Sequence, residues 1–448
     1  MIRNPELQRN IWLELTPHRL IATPVVLLLL LALIVSTNEN GWHSTASITA
    51  AVIFVFATVL WGGRRAYDSI VDEVRAHTWD TQRMSALGPW QMTWGKLLGS
   101  NLYNWYTGAY CLAVLLFTFD DVSLGSWQNG SALRFCLLLV LSALFVQGAG
   151  LLSGLTAARS GRTIKPSRNL PITVLGLLLL LWLERPLAQH TERPVEWYGF
   201  IWQGHDFVLG SLAVFAAWVW FGAYRLMSDL LAVRSLPWGA LSFVVFLSAY
   251  VCGFIDDALW GYASRYAALG TAIGGGAVYV EAWKERRDWI AVQRFLRAWR
   301  GESWLPALQA TPSWLVVAAF TLLMSLVTGF LPANRPYYIP DISPVSQHVF
   351  DMLTMSPLVF TLLMFRDVGL LYFFSLGERP ERAPSTTLVY LAVLYAVLPS
   401  LLNLAGLGFL AFPAVYPLHH GGSWVGITVA AGHVAVVAGL LRQRLARI

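Results

Sequence analysis

Leu20-Ile21-Ala22-Thr23-Pro24-Val25-Val26-Leu27-Leu28-Leu29-Leu30-Leu31-Ala32-Leu33-Ile34-Val35-Ser36-Thr37 is a continuous run without one charged side chain. Hydrocarbon holds no water to pair the backbone N–H and C=O groups. Such a run therefore folds as a helix that pairs them internally, and about 20 residues are enough to cross. Segments of similar character recur at 45–62, 96–118, 132–157, 170–184, 205–224, 238–258, 261–281, 313–331, 350–376, 386–411 and 422–441. The expected fold class is all-α, a polytopic transmembrane helical bundle of about twelve spans. Segment 170–184 is short for a span, but its stretch Leu177 to Leu183 is apolar enough to cross through local thinning or snorkelling.

The whole composition points the same way. The 448 residues are 56% hydrophobic and 12% charged, with a mean hydropathy of +0.56, whereas soluble domains carry about 25% charged residues. Cys111, Cys136 and Cys252 lie in apolar stretches with no Cys-x-x-Cys spacing, which indicates neither a disulfide framework nor a metal site. Residues 1–19 are polar and amphipathic, and the run after them has no Ala-x-Ala-like exit. The first helix is therefore expected to stay rather than leave as a signal peptide.

Orientation follows from lysine and arginine. With the N-terminus inside, only Arg134, Arg185, Arg193, Arg265 and Arg335 of the 31 basic residues face outward. Both termini are expected in the cytoplasm. The net charge of +6 is explained by basic inner loops meeting anionic lipid, so membrane lipids are expected partners and nucleic acid is not. The inner loops at 63–95 and 282–312 are too small to fold as independent domains. Soluble catalytic machinery would have to come from another chain.

Two loops carry more detail. Before the first apolar run, Leu7, Ile11 and Leu15 recur every four residues beside Trp12, with Arg3, Glu6, Arg9 and Glu14 as polar surface. This pattern predicts an interfacial elbow helix over 1–19, ended by Thr16-Pro17. Between the second and third apolar segments lies Asp72-Glu73-Val74-Arg75-Ala76-His77-Thr78-Trp79-Asp80-Thr81-Gln82-Arg83. It is closed by Leu87-Gly88-Pro89-Trp90 and followed by Gly95-Lys96-Leu97-Leu98-Gly99. Taken alone, it reads as a short charged helix in a solvated linker.

The order of interfacial helix, two spans, acidic helix, Leu-Gly-Pro turn and Gly-Lys-Leu-Leu-Gly resembles the membrane (permease) subunits of type-2 ABC exporters. The resemblance covers 1 to about 230, the elbow helix and a six-span domain at 20–230. It implies that Asp72, Glu73, Thr78, Trp79, Asp80 and Arg83 lie at a coupling helix that docks on ABC ATPase subunits. It further implies an inner-membrane location, ATP and Mg bound by the partner ATPase, and no cofactor in this chain. No Gly-x-x-x-x-Gly-Lys-Ser/Thr phosphate loop occurs in the sequence, and Ser160-Gly161-Arg162-Thr163-Ile164-Lys165 has the wrong spacing.

Residues 231–448 exceed the six-span pattern. Trp289, Val292, Leu296 and Trp299 form an apolar stripe opposed by Arg294, Arg297 and Arg300, which predicts a second interfacial helix before Thr311-Pro312. Ser375-Leu376-Gly377-Glu378-Arg379-Pro380 then echoes Ser85-Ala86-Leu87-Gly88-Pro89. Two explanations stand here. One is a partial repeat beginning near 286, giving two docking elements in one chain. The other is the ordinary placement of Pro and Gly at helix ends, in which case a second copy of the chain would be needed.

Within the apolar segments, Asn101, Asn104, Gly108 and Cys111 share one helical face beside Tyr106 and Tyr110. Asn101, Asn104, Tyr106 and Tyr110 are candidates for a substrate path, and interhelical hydrogen bonding is the structural alternative. Gly150-x-x-x-Gly154 and Gly270-x-x-x-Gly274 read as close helix contacts. Asp256 and Asp257 suggest an ion pair with Arg265, His433 an isolated intramembrane histidine, and His419-His420 an outer loop without metal spacing.

Two other function classes compete with the permease. An ion-coupled secondary transporter needs ionisable groups at mid-membrane, and Asp367 beside Arg366 is the main instance. An intramembrane enzyme or haem protein needs converging His, Asp or Ser groups at one depth, and the histidines here are scattered.

Overall fold

The computed structural model describes residues 4–37, 42–85, 87–119, 132–160, 194–233, 236–254, 263–285, 289–301, 303–330, 357–377, 379–407 and 423–447. Apart from a hairpin of β1 (Val195–Trp197) and β2 (Phe200–Trp202), the regular elements among them are helices. The chain divides into two compact units, Met1–Ser235 and Leu236–Ile448.

The first unit opens with α1 (Pro5–Glu14). Asn4 caps it by accepting the Glu6 and Leu7 N–H groups, and Pro5 takes the first turn, where no backbone donor is needed. Then follow α2 (Pro17–Thr37) and α3 (Trp42–Arg75), the latter with a π-helical turn at Val55–Leu60. After them come α4 (Trp79–Arg83), α5 (Pro89–Gly99), α6 (Leu102–Thr118), α7 (Ala132–Ser160) and α8 (Gly204–Leu230). The core runs along α3, α7 and α8: Phe54, Val59 and Val71 pack with Leu138, Leu139 and Val146, and Ile70 packs with Leu151, Leu155 and Met227. A Cβ at Gly150 would collide with the Gly63 carbonyl oxygen, and one at Gly154 with that of Tyr67. This glycine pair therefore brings two backbones together.

The second unit holds α9 (Trp238–Cys252), α10 (Ala263–Lys284), α11 (Trp289–Arg300), α12 (Trp304–Ala310), α13 (Ser313–Phe330), α14 (Pro357–Ser375), α15 (Pro380–Leu404) and α16 (Ser423–Arg447). Its core joins Val244, Val278, Val317, Ala318, Met364 and Leu371. Gly274 seats Thr321 of α13, and Gly369 of α14 seats Val437 of α16. Helices α12 and α13 are bent by 97° at their break.

Seven described helices are long and apolar enough to cross a membrane, or eight if the bent pair is one span. The protein is thus an all-α, membrane-embedded chain. On α2, Ile21, Leu28, Leu29 and Leu33 are exposed, which suits lipid rather than water. The difference from twelve has identifiable sources. Segment 96–118 is not one helix but breaks at Ser100–Asn101 between α5 and α6. Segment 238–258 yields only the 15-residue α9, and α10 is long enough but more polar than the seven. Segment 170–184, the Asp256–Asp257 pair and His419–His420 lie outside the described residues.

The substitution Gly150→Val should destabilise the first unit by about 1–3 kcal/mol through overpacking. Gly210→Val, where a Cβ meets nothing within 4 Å, should leave it unchanged. Thermal unfolding in detergent measures both.

Candidate functional site

Lys96 stands at the start of an apolar segment, and a lysine leaves water only against opposite charge. Its side chain is 1% exposed. Nζ donates to Glu6 Oε1 of α1 at 3.4 Å and to Glu73 Oε2 of α3, and it lies 5.8 Å from the centre of the Trp79 ring. Glu73 Oε1 in turn accepts from Gln82 Nε2 at 2.6 Å and from Arg9 Nη2 at 3.2 Å. One lysine, in the last turn of α5, thus ties that helix to the N-terminal helix, the end of α3 and the loop helix α4.

Local sequence builds this junction. His77 adopts a positive φ of 57°, a left-handed turn that closes α3. The Thr78 N–H and Oγ1 both donate to the Glu73 carbonyl oxygen, which folds the chain back so that Trp79 lies over Lys96. On the other side, Cβ atoms at Gly95 and Gly99 would strike Glu6 and Asn10. The two glycines let α1 lie on α5. Asn4 Nδ2 donates to the Gln91 carbonyl oxygen at 2.6 Å, and Asn10 Nδ2 to that of Gly95 at 3.4 Å. A second cluster fixes the end of α1, where Glu14 pairs with Arg65 and with Arg19, the latter at 2.9 Å.

The acidic residues of α1 are therefore not the solvated surface that its sequence pattern suggests, whereas Arg9 is exposed. Glu6 is buried, Glu14 is largely covered, and it is Ile11, Trp12 and Leu13 that face outward. The glycine spacing and the lone Lys96 were the available signals, because each requires a close partner.

The six loop residues separate by direction. Glu73 and Trp79 turn inward, the tryptophan being 7% exposed, and Thr78 is spent on the turn. Asp72, Asp80 and Arg83 point outward, with Asp72 and Asp80 each 3.4–3.6 Å from an arginine three residues along. Met84 joins them at 83% exposure, a residue the sequence pattern did not single out.

The proposed path residues also divide. Asn101 and Asn104 are buried and bonded to each other, Nδ2 of Asn104 donating to Oδ1 of Asn101 at 3.1 Å. Asn101 Nδ2 donates to the Leu97 carbonyl oxygen, Thr58 Oγ1 to that of Asn104, and Gln147 Nε2 to that of Thr58. This knot pairs the polar groups left by the break between α5 and α6, so it serves helix packing. Tyr106 donates to the Leu20 carbonyl oxygen at 2.8 Å and lies 3.1 Å from the hydroxyl of the half-exposed Tyr110.

Removing one partner of a buried ion cluster strands the others. Lys96→Met should destabilise the first unit by about 3–5 kcal/mol. The triple variant Glu6→Gln/Glu73→Gln/Lys96→Met should recover most of the loss, as read by thermal unfolding and by protection of α1 from proteolysis. The chain matches no family model, no curated protein and no solved structure.

Proposed function

We propose that this chain is the membrane permease subunit of an ATP-driven exporter of the type-2 ABC kind, moving an unidentified substrate across a bacterial-type inner membrane. A separate ATPase subunit supplies the energy through its own ATP and Mg. In this reading α1 is an interfacial elbow helix, the termini are cytoplasmic and the chain crosses about twelve times. The positive-inside asymmetry of the arginines supports that orientation.

The single observation that carries the reading is the Glu6–Lys96–Glu73 junction beneath α4. A docking helix transmits force only when it is wedged against what it must move, and here Trp79, Glu73 and Lys96 join it to α1, α3 and α5. The outward face of Asp72, Asp80, Arg83 and Met84 offers a partner both charges and one apolar anchor. Whether one chain serves two ATPases or two copies assemble turns on the role of residues 231–448.

An ion-coupled secondary transporter is the second reading, and one observation favours it: a buried Arg366–Asp367 pair midway along α14. The other acidic residues of the sequence mostly fall at the ends of the apolar segments or in loops, which places this reading second.

The combined variant Asp72→Ala/Asp80→Ala/Arg83→Ala/Met84→Ala should reduce co-purification with a phosphate-loop ATPase encoded by a neighbouring gene at least about tenfold. A loss of roughly 1.4 kcal/mol would suffice. Its thermal midpoint should stay at the wild-type value, since none of the four side chains is buried. Undiminished binding by the folded variant would remove the coupling role from α4.

A further inference from the structure

The second unit carries ionised groups where a membrane-embedded helix least tolerates them. Arg366 and Asp367 lie at the middle of the 19-residue α14 and are 4% and 1% exposed. Asp367 is fully occupied. Its Oδ1 accepts from Arg366 Nε at 2.8 Å, and its Oδ2 accepts from the hydroxyls of Tyr279 on α10 and Tyr395 on α15, each at 2.8 Å. Tyr395 belongs to a π-helical turn, Val393–Val397, and its ring lies 4.8 Å from the guanidinium carbon. Such turns often accompany functional sites because they re-aim a side chain.

Arg366 is occupied far less. It has five N–H donors, and among the described residues only Nε makes an aligned hydrogen bond. Nη2 sits 2.7 Å from Asp367 Oδ1 but off the donor line, and it is buried without an acceptor. On the facing helix, His433 Nδ1 is likewise buried without a partner among the described residues. Register puts the two at one depth. Ile427 and Ala430 of α16 pack with Val359 and Leu363 of α14, and Val437 packs on Gly369, so His433 falls level with Arg366.

Unfilled donors of a buried guanidinium call for an acceptor, and the planar fork matches a carboxylate. Charge decides what must accompany it. Arg366 and Asp367 sum to zero, so a carboxylate alone would leave an uncompensated negative charge inside the membrane. Asp367 is held by three donor groups, each of which favours its ionised form over a protonated one. Among the described residues, the charged groups that act on His433 are Arg366 and Asp367 of α14, and Asp367 in turn carries Tyr279 of α10 and Tyr395 of α15. Arg442 and Arg444 on its own helix lie two or more turns further along. Within this cluster, among the described residues, His433 has the unpartnered nitrogen that can receive the proton.

We propose that the second unit binds a monocarboxylate on the Arg366 guanidinium together with one proton taken up by His433. The assignment rests on this cluster alone and is independent of the permease reading. Proton balance is simple: one solvent proton moves to the ring nitrogen as the anion arrives, and no bond of the ligand changes.

Benzoate is a suitable probe, with benzamide as its neutral counterpart, on the full chain in lipid nanodiscs. Benzoate should bind with uptake of about one proton per ligand, read by indicator in weak buffer, and its Kd should weaken about tenfold per pH unit above neutrality. Arg366→Lys keeps the charge but loses the fork and should weaken binding at least about tenfold. His433→Gln should bind benzoate with a Kd that no longer follows pH. The proposal is overturned by benzamide binding as tightly as benzoate, by a pH-independent Kd in the wild-type chain, or by unchanged pH dependence in His433→Gln. Should Arg366→Lys fail to fold, the His433→Gln and benzamide arms decide the matter.

Discussion

A lysine ammonium withdrawn from water costs several kcal/mol, and only opposite charge at close range offsets it. Lys96 is placed in that position, with Glu6 and Glu73 as its two counter-charges. Because those carboxylates belong to different helices, satisfying one cation fixes the mutual position of α1, α3, α4 and α5. The rest of this end of the first unit depends on that cation. Trp79 covers the lysine, Gln82 and Arg9 complete Glu73, and the turn at His77 and Thr78 has the shape that lets them meet.

The same principle recurs in the second unit with a different result. Arg366 and Asp367 are adjacent on one helix, so their pairing fixes little by itself. Tyr279 and Tyr395 do the joining, drawing α10 and α15 onto one carboxylate oxygen. In the first cluster every charged group meets an opposite charge, whereas the second leaves a guanidinium and an imidazole nitrogen without an acceptor or donor among the described residues. A closed cluster suits a mechanical joint; an open one suits a ligand.

Small residues set where helices approach most closely. Gly95 and Gly99 receive α1, Gly150 and Gly154 receive α3, and Gly274 and Gly369 do the same in the second unit. Lipid and leucine are equally apolar, so helix association in a membrane relies on such close fits and on buried hydrogen bonds more than on a hydrophobic drive. The knot of Thr58, Asn101, Asn104 and Gln147 is the hydrogen-bonding counterpart, and it forms where a broken helix leaves backbone groups to satisfy.

Sequence by itself determined that this is a helical membrane protein, because transfer of an apolar run into hydrocarbon depends on composition and length, both of which are local. The glycine pairs, the Thr-Pro break after α1, the loop helix near residue 79 and the exceptional place of Arg366 and Asp367 were legible for the same reason, whereas His433 read as an isolated histidine. Only tertiary structure decided direction. An amphipathic stripe states that two faces differ but not which one meets protein, so the burial of Glu6 and the inward turn of Glu73 and Trp79 could not be read from spacing. Partners for Lys96 lie 23 and 90 residues away, and Tyr279, Tyr395 and His433 converge on Asp367 and Arg366 from three other helices. Ion pairs of that separation exist only once the helices have packed, which is where a buried charge finds what it needs.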